Sequence, residues 1–272
     1  MTQRILDAAV EAYRECPGVR AVVLGGSLAT GTATDASDVD IGLYYDRERL
    51  DYGALNDAAR RLDDAHREDL ICREGGWGGW VNCGGWLTVQ GRPVDVILRD
   101  WRRVQDVVQA TDRGAFACHY QPGHPHAFVD AAYRGKLACC RTLYARDGGF
   151  EEVKRRAEVY PPVLRRALVD FFLFEADFSC ALAEKYAAGM DAYYLAGHLF
   201  RAISALNQVL FALNRTWLLN EKKAVQRAGG LPLAPADYAA SVQAVFTAPC
   251  GRASALLRAL QAQVSALAAS GL

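Results

Sequence analysis

The chain has 272 residues, 51% of them hydrophobic and 23% charged, and its 31 basic side chains are matched by 31 acidic ones. A net charge of zero argues against a nonspecific nucleic-acid scaffold, which needs a basic surplus to displace phosphate counterions. The apolar fraction is too high for a disordered chain, and no run approaches the ~20 consecutive apolar residues that span a bilayer.

The length suits two domains of ordinary size. Eight cysteines (Cys16, Cys72, Cys83, Cys118, Cys139, Cys140, Cys180 and Cys250) are scattered without a repeated CxxC spacing, so they read as buried thiols and not as a disulfide framework. The N-terminal segment mixes charge along its length and places Ile5, Leu6, Ala9, Val10 and Tyr13 on one helical face. It reads as a folded amphipathic helix and not a signal peptide, and a cytoplasmic location is expected.

After that helix, Cys16-Pro17-Gly18 punctuates the chain, and Val19 to Leu24 reads as a short buried strand leading into Gly25-Gly26-Ser27. Val39 to Tyr45 reads as a second strand and residues 47–65 as a surface helix. GWLTV, Gln90-Gly91 and RPVDVILRD then read as a hairpin with a tight turn. From about residue 160 the pattern becomes helical. Pro161 and Pro162 sit where a helix start tolerates proline, and Leu195, Leu199, Ile203, Leu206, Leu210 and Leu213 recur at steps of three or four. Two shorter helices are expected, one after Pro235 and one from Ser254 to about Ala268. The fold class expected is an α/β N-terminal domain, a mixed sheet with helices over residues 1–148, followed by an all-α helical bundle over 149–272.

The chemistry concentrates in Gly25-Gly26-Ser27 and in Ser37-Asp38-Val39-Asp40-Ile41. On a strand, residues two apart share a face, so Asp38 and Asp40 are expected to project together while Val39 and Ile41 enter the core. Adjacent carboxylates repel one another, and a divalent cation between them relieves the repulsion; oxygen ligands with room for water suit Mg²⁺. Asp95, between Val94 and Val96, repeats the device in the hairpin. Upstream, glycines permit close backbone approach, and Ser27 falls where a helix would begin, with free N–H groups suited to phosphate. The segment lacks the Lys of GxxxxGK[ST] and the spacing of GxGxxG.

Gly26-Ser27, ten intervening residues, Asp38-Val39-Asp40 and the later Asp95 resemble the pattern of nucleotidyltransferases with the DNA polymerase beta fold. The resemblance covers roughly residues 20–100. It implies two Mg²⁺ ions, a nucleoside triphosphate co-substrate with ATP as the first expectation, and transfer of a nucleoside monophosphate with release of pyrophosphate. Asp38, Asp40 and Asp95 are then the metal-binding and catalytic residues, and Gly25, Gly26 and Ser27 hold the terminal phosphates. Lys222, after a long helix, is the favoured candidate for a helical-domain lysine that reaches the triphosphate, ahead of Lys223. The helical C-terminal half is similar in size to that of small bacterial enzymes that modify aminoglycosides or lincosamides.

The expected function is therefore Mg²⁺-dependent nucleotidyl transfer to a hydroxyl of a small acceptor, an antibiotic among the candidates, with no nucleic-acid polymer and no membrane as partner. The alternatives are a protein-modifying, antitoxin-like nucleotidyltransferase and a non-catalytic nucleotide sensor. Other motifs have structural readings beside functional ones. Cys118, His119, His124 and His126 fit no common zinc spacing and read as a loop whose histidines touch either substrate or the protein itself. Trp77, Trp80 and Trp86 offer either stacking surfaces or buried aromatics. Glu175 and Asp177 are either a general base or exposed helix charges.

Overall fold

The computed structural model describes residues 2–34, 37–187 and 191–271. They fall into two compact units. The first comprises the described residues of 1–110 with 117–123 and 127–159; the second comprises 111–116, 124–126 and those of 160–272. Residues 149–159, expected in the helical half, thus pack with the first unit, and two short stretches of the intervening loop pack with the second. An α/β region followed by a helical one is the architecture observed.

In chain order the first region contains α1 (Thr2–Tyr13), β1 (Val19–Leu24), α2 (Gly26–Thr30), β2 (Val39–Tyr45), α3 (Tyr52–Leu62), β3 (Gly84–Val89), β4 (Arg92–Asp100), α4 (Trp101–Asp112), β5 (Cys118–His119), β6 (Phe128–Val129), α5 (Ala131–Cys139), β7 (Arg141–Ala145) and α6 (Gly148–Glu158). Five strands form one sheet in the order β3-β4-β2-β1-β7, in which only the β2/β4 pair is parallel. Alternation along β2 assigns its two faces. Val39, Ile41, Leu43 and Tyr45 join α1 and α3 in one core, whereas Tyr44 joins α4, α5 and α6 in the other. Only the second face also carries Asp40 and Gly42, and this is where polar chemistry can surface.

Local side-chain bonds set several boundaries. The helix expected from residue 47 begins at Tyr52 because Asp51 Oδ1 caps it, accepting from Gly53 N at 2.8 Å and Ala54 N at 3.1 Å. The hairpin turn has positive φ at both Gln90 (52°) and Gly91 (73°), the geometry of a type I′ turn. Asp64 fixes that turn, accepting from the two N–H groups at 2.9 and 2.8 Å. Arg134, buried on α5, donates to the carbonyls of Ala157 (3.3 Å), Arg156 (2.6 Å) and Val159 (2.8 Å), which closes the carboxyl end of α6.

The second unit is built from α7 (Pro162–Tyr186), α8 (Ala192–Leu213), α9 (Ala224–Gly229), α10 (Tyr238–Thr247) and α11 (Cys250–Gly271). α7 lies along α8, α11 packs on both, and α10 packs on α11 and α8. The stripe Leu195, Leu199, Ile203, Leu206, Leu210 and Leu213 is buried as its spacing requires. Two differences from expectation stand out. The last helix starts at Cys250 and runs 22 residues, and α9 is an additional short helix whose six residues are too few to show periodicity. Among the described residues no helix is long and apolar enough to cross a membrane.

Candidate active site

The parallel register of β2 and β4 sets Asp40 beside Asp95, and the antiparallel register of β3 and β4 sets Trp86 opposite Asp95. Registered neighbours on adjacent strands share a face at roughly 5 Å. Asp40, Asp95 and Trp86 therefore form a row across three strands, while Val39, Ile41, Val94, Val96 and Leu87 enter the core behind them. Asp38 is placed differently from the sequence expectation. The ladder with β4 starts at Val39, opposite Val94, so Asp38 precedes β2, exposed and without a ladder partner. It approaches the row from the entering segment and not from a shared strand face.

Burial, then the negative charges of Asp40 and Asp38, push the Asp95 carboxyl up to about 6. Among the described residues no three His, Cys, Asp or Glu side chains already converge on a common cation position. The donor chemistry nevertheless suits a hard divalent cation, because each carboxylate raises the cost of ionising its neighbour and a cation removes that cost.

Gly25 and Gly26 pack directly on this row. Gly25 N donates to the Asp40 carbonyl at 2.8 Å. Gly26 has φ +58°, and a Cβ there would lie 1.7 Å from Asp40 Oδ2. The space that glycine leaves, expected from sequence to admit a ligand, is thus used by the chain's own carboxylate. Gly25 precedes α2, a five-residue helix. The backbone N–H groups of Gly26, Ser27 and Leu28 have no acceptor among the described residues.

Two cations lie on the same face. Arg99, two pleats along β4 from Asp95, sits over the Tyr44 ring at 5.7 Å. Burial and the Arg99 charge lower the Lys136 ammonium to about 7, with Asp40 opposing the shift. Sequence reasoning missed both. Arg99 was recoverable from the period-two spacing Asp95, Ile97, Arg99, whereas Lys136 in AAYRGKLAC carries no local signal.

Trp86 is 62% exposed beside Asp95 and stacks on Trp77 with ring centroids 4.7 Å apart. Gly84 makes this possible, since a Cβ there would meet the Trp77 ring at 2.5 Å. The loop that carries Trp77 is held by the buried Gln121, whose Oε1 accepts from Trp80 N (2.9 Å) and Val81 N (3.1 Å) and whose Nε2 donates to Trp77 O (2.6 Å). Trp80 takes the structural alternative, stacked on His119 at 3.9 Å between centroids, and His119 faces Asp130 at 3.4 Å.

The remaining candidates belong to the helical unit. Lys222 is exposed in the turn before α9, its N–H donating to Asn220 Oδ1 at 2.8 Å. His126 Nε2 lies 3.1 Å from Glu175 Oε1, which Arg201 Nε also meets at 2.6 Å. Burial favours the protonated Glu175, but the His126 bond and the charges of His126 and Arg201 outweigh it and hold the carboxyl below its usual range. Glu175 is thus already engaged by two partners of its own unit. Asp177 pairs with Arg258 at 2.6 Å.

The mixed sheet thus presents Asp40 and Asp95 side by side, next to the Gly25-Gly26-Ser27 turn. Residues 4–100 match the family model for the nucleotidyltransferase domain, so this region is a nucleotidyltransferase domain of the polymerase beta-like superfamily. Among solved structures, a nucleotidyltransferase-like protein from Exiguobacterium sibiricum 255-15 aligns at 9% identity and a TM-score of 0.48, over 99% of this chain and 75% of that one. That likeness is too distant to bear on function. No curated protein matches the chain.

Proposed function

We propose that the protein transfers a nucleoside monophosphate from a nucleoside triphosphate, ATP in the first instance, to a hydroxyl of a small acceptor. The observation that carries this reading is the register of Asp40 on Asp95, beside the Gly25-Gly26-Ser27 turn, within a nucleotidyltransferase domain.

Asp38 and Asp40 would hold two Mg²⁺ ions and Asp95 would complete the set on the acceptor side. Bound Mg²⁺ supplies neutralisation of charge on the leaving pyrophosphate and acidifies the attacking hydroxyl. The N–H groups of Gly26, Ser27 and Leu28, which lack acceptors, would bind the terminal phosphate oxygens. Asp95, on the acceptor side of the row, would accept the proton of the acceptor hydroxyl. Lys136, on the same face of the sheet, would offset the charge of Asp40. Trp86 offers its exposed face to an acceptor ring. Lys222 is proposed as the triphosphate contact from the helical unit.

The test is incubation with Mg²⁺, α-labelled nucleotides and a panel of hydroxyl acceptors, with pyrophosphate release followed in parallel. Label should move to a small acceptor and be lost in Asp38→Asn. Undiminished transfer by that variant overturns the assignment. Label on a co-purified protein favours the protein-modifying alternative, and binding without pyrophosphate release favours the sensor.

A further inference from the structure

The helical unit contains a cavity of about 130 Å³ that the nucleotidyl-transfer reading does not use. One side is a face of α8, where Phe200, Ile203, Ser204, Asn207 and Gln208 repeat at helical spacing; Val225 of α9 and Phe246 of α10 supply apolar wall opposite. Apolar walls with a few convergent polar groups are the usual make-up of a small-molecule site.

Asn207 indicates the ligand chemistry. It is 5% exposed, and its Oδ1 accepts from Tyr238 OH at 3.0 Å, a phenol kept protonated by burial. That bond engages Oδ1, and Nδ2 has no acceptor among the described residues, yet it is not among the fully sealed unpaired atoms. It therefore opens on the cavity as an unused donor. Ser204 and Gln208 line the same wall, likewise without a side-chain partner among the described residues.

The charged groups at this site are already matched. Glu221 accepts from His126 N at 3.1 Å and lies 3.9 Å from His124 Nδ1, while Glu175 is held by His126 and Arg201. An added ammonium or carboxylate would have to displace an existing partner or remain buried and unpaired. A carbonyl or hydroxyl oxygen would satisfy Asn207 Nδ2 at no such cost.

We propose that this cavity is a binding site for an uncharged, ring-sized organic group that carries a carbonyl or hydroxyl oxygen, received by Asn207 Nδ2 between Phe200 and Phe246. The site stands on the helical unit alone and does not depend on nucleotidyl transfer.

The test is an NMR titration of the full chain with benzamide, benzylamine and benzoate, one ring with a neutral, a cationic and an anionic head. Benzamide should saturate with a Kd of about 1 mM, the range that nine heavy atoms can supply, and bind at least ~10-fold tighter than either charged probe. Val225→Trp, which fills the cavity, should abolish binding, and Asn207→Leu should weaken it by at least ~5-fold, the loss of one hydrogen bond. Circular dichroism and urea unfolding confirm that each variant is folded; should Asn207→Leu unfold, Gln208→Leu, on a half-buried position of the same wall, takes its place. The proposal is overturned if benzamide does not saturate, if a charged probe binds as tightly, or if folded Val225→Trp binds benzamide as the parent does.

Discussion

Asp40 occupies the volume that any side chain at residue 26 would need: a Cβ on Gly26 would fall 1.7 Å from Asp40 Oδ2 and 2.5 Å from its Cγ. The φ of +58° at Gly26 adds a backbone penalty for every other residue type, roughly 1–2 kcal/mol. The glycine is thus a spacer for a carboxylate, and the two residues are positioned as one unit.

Gly26→Ala must therefore displace Asp40, not merely strain the turn. Displacements on the order of 1 Å at a reacting centre cost about 10²-fold in rate. Pyrophosphate release should fall by about that factor while circular dichroism stays that of the folded parent and the urea midpoint drops by the equivalent of roughly 1–2 kcal/mol. A variant with full activity would show that the Asp40 position does not matter to turnover.

The raised Asp95 carboxyl links stability to pH. Its ordinary value is 3.8 and in the folded chain it is about 6, so between those values the folded state holds a proton that the unfolded state has released. Its contribution is full below pH 3.8 and is lost as pH rises to about 6. The Tm difference between the parent and Asp95→Asn should shift against the parent across this window, and Mg²⁺ should raise the parent's Tm most above pH 6. A difference that is flat with pH, measured without divalent cation, would remove the coupling.

Trp86, at 62% exposure, contributes little core area, so Trp86→Ala should leave the unfolding midpoint nearly unchanged. If an acceptor ring stacks there, its KM should rise about 10-fold, the value of one aromatic contact of ~1.5 kcal/mol, with the KM for nucleotide unaffected. A rise in the nucleotide KM alone would place the nucleobase, not the acceptor, on this ring.

Asp63 ties the end of α3 to the hairpin. Fully buried, it accepts from Arg67 Nε (2.9 Å), Arg67 Nη2 (2.6 Å) and Thr88 N (2.9 Å), and the Arg67 guanidinium holds its carboxyl well below the usual range. Asp63→Ala leaves the Thr88 N–H without its acceptor, at about 1–3 kcal/mol, while the exposed Arg67 guanidinium turns to water. Urea unfolding should show that loss. The bond should survive at pH 4, because the depressed carboxyl stays ionised there and is protonated only in much stronger acid.

The sequence alone was sufficient for β1, β2, the hairpin and the leucine stripe of α8, because each is written in local periodicity and turn chemistry. It also singled out Asp40 and Asp95, since aspartates between β-branched core residues need a reason to be there, and Asp38 by its spacing from Asp40. What it could not supply was register. That Asp95 lies beside Asp40, 55 residues earlier in the chain, and opposite Trp86 follows from which strands pair. The same holds for Gly26 against Asp40, for Gln121 fixing the Trp77 loop and for Lys136 on the same face of the sheet. Asp38 fell outside the strand because the ladder begins one residue later, and α9 went unseen because it is shorter than two helical turns. Local pattern encodes which face a residue takes; only the packing of distant segments decides which residue stands across from it.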